Sequence, residues 1–347
     1  MSLALLDGAE HRISPRPPFF DNTSAEALYA SPGRYSAGSY FYDTVSGTTT
    51  RWKIPTASLS PEVWIGLAFK EAGLVFSDLS QPIIACFGDG TATQHVSAYL
   101  NADGSIALWR GTTTGTLLGT TATGLIVGTI WNYLELRALI NDSTGAYELR
   151  INGVNVLSAS GVDTRNGGTS PNVTVFGGGR SGGNGRQYDD LYCTTGDGVG
   201  TSGFQNEISI ERVSPSGNGN YSQLVGQDGN SVDNYLNVDE LPFSATDYNG
   251  SATVGQKDTY AMSNLIAVSG SILGTVLHMG VMKNNAGFIR GRRVIRIAAT
   301  DYNGADLPSL SASMVPYSEL IEKSPATAVS WTISEVNGME AGFEVRT

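Results

Sequence analysis

The stretch LELRALINDSTGAYELRINGVNVL, residues 134–157, decides how the chain is read. Leu134, Leu136, Ala138 and Ile140 alternate with Glu135 and Arg137, so one face is apolar and the other charged, the period-two pattern of a half-buried strand. Tyr147, Leu149 and Ile151 repeat it. Asn152-Gly153 then offers two residues that tolerate positive φ and turns the chain tightly into Val154-Asn155-Val156-Leu157. The spacing predicts a meander of antiparallel strands.

Outward from this stretch the same alternation runs from Tyr40 to Cys193. Trp64 to Phe69 and Ile83 to Phe87 read as buried strands, while Val96 to Leu100 and Ile106 to Trp109 flank a hairpin turn at Asn101-Ala102-Asp103-Gly104. A Gly/Thr/Ser-rich stretch from Thr194 to Gly203 leads to a predicted strand over Ile208 to Val213, and then to the turn cluster Ser214-Pro215-Ser216-Gly217-Asn218-Gly219. A boundary in that cluster gives an all-β chain of two β-sandwich domains, 1–215 and 216–347, with a boundary near 200 as the alternative. In the second half, helical hints are brief, at Ser318 to Glu322 and Ser334 to Glu340. Thr-Asp-Tyr-Asn-Gly occurs at 246–250 and again at 300–304, which is turn chemistry met twice rather than a repeat array. Thr259 to Met282 carries no formal charge but is broken by Asn264, Ser269, Gly270 and Ser271. Leu273, Thr275, Leu277, Met279 and Val281 share one face at period two, so a buried strand is expected there and not a membrane span.

Composition points the same way. The 43 glycines among 347 residues, with only 15% charged residues, suit many short strands joined by tight turns. Lys and Arg number 21 against 32 Asp and Glu, and this acidic balance argues against a general grip on nucleic acid or an anionic membrane. Cys86 and Cys193 are too few for a metal cluster or a disulfide scaffold and read as reduced thiols on apolar strands. The opening MSLALLDGAEH has an apolar run only from Leu3 to Leu6, so no signal peptide is expected, and the chain is expected to stay in the cytoplasm of the cell that makes it unless it leaves as part of a larger particle.

Several motifs invite chemistry. Gly177, Gly179 and Gly182 match a dinucleotide-binding fingerprint, but the run leads into Gln187 to Tyr192, a second strand, with no helix to hold a pyrophosphate. It is read as a projecting loop. Asp189 and Asp190 are adjacent in that strand, and neighbours in a strand point to opposite faces, so they do not form a facing carboxylate pair. The loop Asp228 to Asp239 begins like an EF-hand but has Val232 and Asp233 at the wrong places; no cofactor is expected, with calcium held by scattered loop acids left open. His11, His95 and His278 stand apart from any nucleophile motif. Arg180, Asn184, Arg186 and Tyr188 form a candidate glycan-binding group, an aromatic platform with polar side chains around it. Arg290, Arg292 and Arg296 share a strand face as a candidate interface, with salt bridges to neighbouring strands as the plainer reading.

Taken in order, Ala4 to His11, Pro32-Gly33-Arg34-Tyr35, Trp64 to Phe69, Tyr188 to Tyr192, Asn237 to Glu240, Thr253 to Tyr260 and Ser324 to Asn337 resemble the concanavalin A-like (laminin-G-like) module of tailed-bacteriophage virion proteins and its C-terminal companion region. The resemblance implies a jelly-roll first domain and a non-enzymatic virion structural protein. The expected place is tail or tail fibre, with capsid decoration or a carbohydrate-binding adhesion module as alternatives. It further implies homo-oligomeric assembly, other virion proteins and a host-surface glycan as partners, and no catalytic residues. A polysaccharide-degrading enzyme is the third reading, reached only if a catalytic pair assembles from distant strands.

Overall fold

Stacking two antiparallel sheets is how strands with one apolar face hide that face from water, and the first part of the chain does this. A computed structural model describes residues 3–8, 27–30, 32–35, 40–43, 49–71, 81–90, 92–179, 186–196, 202–284 and 286–347, with backbone alone at 27–30, 40–43, 49 and 50. The chain divides into two units, 1–10 with 18–210, and 11–17 with 211–347.

In the first unit the strands are β1 (Leu3–Asp7), β2 (Ala27–Ala30), β3 (Tyr40–Asp43), β4 (Thr49–Lys53), β5 (Glu62–Glu71), β6 (Ile84–Gly88) and β7 (Thr93–Leu100). They continue as β8 (Ile106–Arg110), β9 (Thr116–Thr120), β10 (Asn132–Leu139), β11 (Gly145–Ile151), β12 (Val154–Val162), β13 (Val175–Gly179) and β14 (Arg186–Thr195). The larger sheet has the order β12-β11-β10-β5-β14-β3-β2, with β1 also paired to β14, and the smaller has β4-β13-β6-β7-β8-β9. Ile65, Leu67, Leu134, Leu136, Leu149 and Cys193 of the larger sheet meet Trp52, Cys86, Val96, Ala98, Leu108 and Phe176 of the smaller in one apolar core. Trp52 stacks on Phe176 with centroids 5.8 Å apart and takes Tyr188 edge-on at 6.0 Å. Full burial of each large apolar side chain stabilises by about 1.5–3 kcal/mol.

The meander of residues 134–157 is present. Leu134 faces Ile151 and Leu136 faces Leu149 across β10 and β11, and Asn152 and Gly153 turn with φ of 50° and 79°. The glycine run is corrected. Gly177 to Gly179 are not a projecting loop but the end of β13, paired with β4 on one side, where Gly177 also meets β6 on the other. A Cβ on Gly178 would stand 1.8 Å from the Ile83 carbonyl oxygen, so glycine is there to let strand and neighbour close up. Gly182 lies outside the described residues.

The second unit holds β15 (Pro215–Ser222), β16 (Val225–Gly226), β17 (Asn249–Gly250), β18 (Lys257–Met262), β19 (Thr275–Val281), β20 (Arg290–Ile297), β21 (Thr300–Asn303), β22 (Val315–Ile321), α1 (Ile333–Gly338) and β23 (Glu340–Arg346). A five-stranded sheet runs β15-β18-β23-β20-β21, beside the pairs β16-β17 and β19-β22. Ile295, Ile321, Trp331, Val336 and Met339 form its apolar cluster. Thr332 caps α1 through a reciprocal pair of bonds with Glu335, which satisfies two otherwise orphaned N–H groups.

The fold is thus all-β, built from antiparallel sheets. Five local readings change. Residues 208–213 form no strand, and the expected turn cluster 214–219 lies largely in β15, an edge strand whose register shifts against β18 absorb its Pro and Gly residues. The helical hint at 318–322 falls on β22, where Ser318 pairs with His278 and partner pairing overrides local propensity. The uncharged strand begins at Thr275 and stays half-buried, because its sheet has only two strands. The boundary placed at 215 cuts into β15, past the division between the units after residue 210. Among the described residues no helix is long and apolar enough to cross a membrane.

Candidate functional site

Since Leu134 and Leu136 point into the sandwich, period two sends Tyr133, Glu135 and Arg137 to the outer face of the larger sheet. The same rule sends Trp64 and Gly66 of β5, Arg150 of β11 and Tyr192 of β14 outward. Register then lines up a row: Arg150 opposite Glu135, Glu135 opposite Gly66, and Gly66 opposite Tyr192. Gly66 is what makes the row work, because a Cβ there would stand 2.1 Å from the Tyr192 ring. With that space open, Tyr192 lies across β5 and its phenol donates a hydrogen bond to Glu135 Oε1.

Both members of this pair are 0% exposed. Burial pushes the Glu135 carboxyl above its usual range, against the Tyr192 hydrogen bond, the N–H groups of Asn206 and Gln205 and the Arg150 charge. Burial also drives the Tyr192 phenol upward, with the Glu135 charge adding to it. Glu135 Oε2 has no well-formed hydrogen bond. Trp64, Trp131, Leu6 and Ile208 pack around the cluster of Tyr192, Tyr133 and Ala68.

A bulge beside the row brings in charge. Between Asp189 and Tyr192 the register with β5 shifts, and Asp190 takes φ of 49°, a left-handed conformation costly for a residue with a side chain. The Tyr133 hydroxyl donates to the Asp190 carbonyl at 3.0 Å. Asp189 Oδ2 accepts the Arg34 N–H at 2.8 Å, and Asp190 Oδ2 accepts from the Arg34 guanidinium at 3.2 Å. Both acids therefore converge on Arg34, contrary to the expectation of opposite faces, because the bulge breaks the alternation. Burial pushes Asp190 up to about 6, opposed by the Ile210 N–H and Arg34.

The residues singled out in the sequence are placed otherwise. Arg186 and Tyr188 are 1% and 0% exposed. Arg186 donates to Glu71 Oε1 at 2.5 Å and to the carbonyls of Pro82 and Gly179 at 2.8 and 2.9 Å, and Tyr188 donates to the Ile83 carbonyl at 3.1 Å. They bolt the two sheets together, so they are withdrawn from the glycan-binding group; Arg180 and Asn184 lie outside the described residues. Arg292 pairs with Glu344 at 2.8 Å and Arg296 with Asp301 at 2.5 Å, while Arg290 lies over Phe288 at 4.8 Å. Asp228 accepts the Asn230 N–H in a local turn. His95 is buried and its Nδ1 accepts the Asn166 N–H at 3.2 Å, and His278 Nδ1 meets Ser318 Oγ at 2.7 Å. Tyr192, Glu135 and Gly66 were not singled out as a site. Their one sequence signal is a glycine in the middle of an otherwise bulky buried strand.

No family model matches the chain, and no curated protein matches it. Among solved structures it is similar to an endo-β-1,4-glucuronan lyase from the fungus Trichoderma reesei, at 11% identity and TM-score 0.37, over 56% of this chain and 96% of that one. It is also similar to the alginate lyase vAL-1 from a Chlorella virus, at 12% identity and TM-score 0.36, over 50% and 89%. A Trypanosoma rangeli sialidase follows at 10% identity and TM-score 0.36, over 56% of this chain and 30% of that one. Likeness at this level carries neither reaction nor substrate to the chain. The proteins it sets beside the chain are nonetheless glycan-active enzymes by name, and the expectations of a non-enzymatic virion structural protein and of no enzyme activity are withdrawn on that finding.

Proposed function

We propose that the first unit cleaves a polysaccharide on the outer face of its larger sheet, with Tyr192 and Glu135 as the proton-transfer pair. The observation that carries this reading is the phenol bonded to a buried carboxyl whose second oxygen has no well-formed hydrogen bond. A phenol whose proton passes to an adjacent carboxylate serves as nucleophile or as general acid and base. Trp64 and Trp131, half-buried around the pair with Arg137 and Lys70 over their rings, supply aromatic and cationic surface for a sugar chain, and Arg150, opposite Glu135 in the register and paired with Glu148, offers a cation for charge developing during bond cleavage.

The test is release of new reducing ends from a panel of neutral and uronic-acid polysaccharides by the full chain. Tyr192→Phe and Glu135→Gln are each expected to lower the rate by about 10²-fold or more. Cleavage undiminished in both variants would remove the pair from the reaction.

A further inference from the structure

We infer that residues 203–210 are an autoinhibitory strap, a length of the chain's own backbone held over Tyr192 and Glu135 in the place of substrate. The inference rests on the reading of that pair as the acid–base centre. Four side chains of the sheet face or its flank bind the strap's main chain. Thr194 Oγ1 donates to the Gly203 carbonyl at 3.0 Å, and the Tyr192 phenol oxygen accepts the Gln205 N–H at 2.9 Å. The Arg34 guanidinium donates to the Ile208 carbonyl at 3.3 Å, and Asp190 Oδ1 accepts the Ile210 N–H at 2.7 Å.

Side chains add three further anchors. Phe204 lies against Arg150, whose guanidinium carbon is 3.9 Å from the ring centroid. Ile208 packs on the Tyr133 and Tyr192 cluster. Glu207 pairs with Arg34 and accepts from the Tyr35 hydroxyl at 3.2 Å.

What makes this a strap and not a ninth strand is the kind of bond that holds it. Residues 203–210 have no strand pairing with the sheet, so the segment can lift without breaking a ladder bond. Asn206, Glu207 and Ser209 are exposed, whereas Tyr133, Glu135 and Tyr192 beneath are 0% exposed. Burial is the largest cause of the upward shifts of Tyr192 and Glu135, so removing the cover moves both towards a range in which a proton can pass.

Hydrogen–deuterium exchange on the full chain tests this, alongside cleavage of the same polysaccharide panel. The strap-loosened protein carries Ile208→Ser with Glu207→Gln, neither of which touches the hydroxyl of Tyr192 or the carboxyl of Glu135. In the wild type the amides of Gln205 and Ile210 should exchange at least about 100-fold faster than those of β10 and β14, through local opening. In the loosened protein they should exchange about tenfold faster again, with β10 and β14 unchanged and cleavage raised by a similar factor. Amides 205 and 210 that exchange in step with β10 and β14 in both proteins would overturn the strap. Equal cleavage by the two proteins despite faster opening would overturn inhibition while sustaining the site. Opening with no cleavage of any polysaccharide by either protein would support a mobile strap and sink the acid–base reading beneath it.

Discussion

The outer face of the larger sheet in the first unit and the charged face of the five-stranded sheet in the second start from the same alternation and satisfy their charges differently. In the second unit, Lys257 stands opposite Glu344 and Glu344 opposite Arg292, while Glu340 stands opposite Arg296 and Arg296 opposite Asp301. Lys257, Arg292 and Arg296 thus each meet an acid across the register, the arrangement that stabilises a sheet pair by pair, while at the end of the ladder Arg290 stands opposite Arg346. Burial would raise Asp301, but its hydrogen bonds from Lys257 and Arg296 outweigh this and hold it below the usual carboxylate range. In the first unit, Glu135 is pushed up by burial and keeps an oxygen without a well-formed bond. A ladder of opposed charges completes itself within the fold. A buried acid left partly unmatched costs stability, and such sites are where chemistry is expected.

Removing the centre of the unmatched face should have the largest effect. Tyr192→Ala leaves a cavity over Gly66 and strips Glu135 and the Gln205 N–H of their partner, so a loss of about 3–5 kcal/mol is expected in denaturant unfolding of the full chain. A loss under about 1 kcal/mol would mean the face is not a packed cluster. Gly66→Ala should follow, at about 1–3 kcal/mol, because the new methyl displaces the Tyr192 ring; an unchanged midpoint would break the row argument.

Asp190 sharpens the comparison through pH. Its folded pKa of about 6 lies above the ordinary 3.8, so the folded state holds this proton more tightly than the unfolded one. The contribution is fully present below about 3.8 and is lost as pH rises through about 6. The stability of the wild type relative to Asp190→Asn should therefore fall between pH 4 and 7. A difference that is flat, or that grows with pH, would mean Arg34 and Ile210 dominate over burial. The smallest effect belongs to the ladder: Arg292→Ala should cost no more than about 1 kcal/mol and less in high salt. A cost several times larger would erase the contrast between the faces.

Much of the fold was legible locally. The strands of residues 134–157, the Asn152-Gly153 turn and the core face of Leu134, Leu136 and Leu149 followed from alternation, which needs only neighbours along the chain. The glycines at 177–179 misled because close approach between strands uses the same residue as a loop does, and only the Ile83 carbonyl beside Gly178 separates the two. Arg186 and Tyr188 misled for a related reason. A polar side chain in a strand looks exposed until its partners, here Glu71 and two carbonyls, are brought to it from elsewhere.

The sequence by itself determined an all-β chain, because apolar period and turn residues act over a few positions and commit each segment to a strand. Only the tertiary structure decided which strands became neighbours. The row Arg150, Glu135, Gly66 and Tyr192 draws on four strands, and its β14 member comes from far along the chain. The bulge at Asp190 then brings both acids to Arg34. Register between distant strands and the burial it imposes are properties of the packed sheet, and the chemistry of the site is set by them.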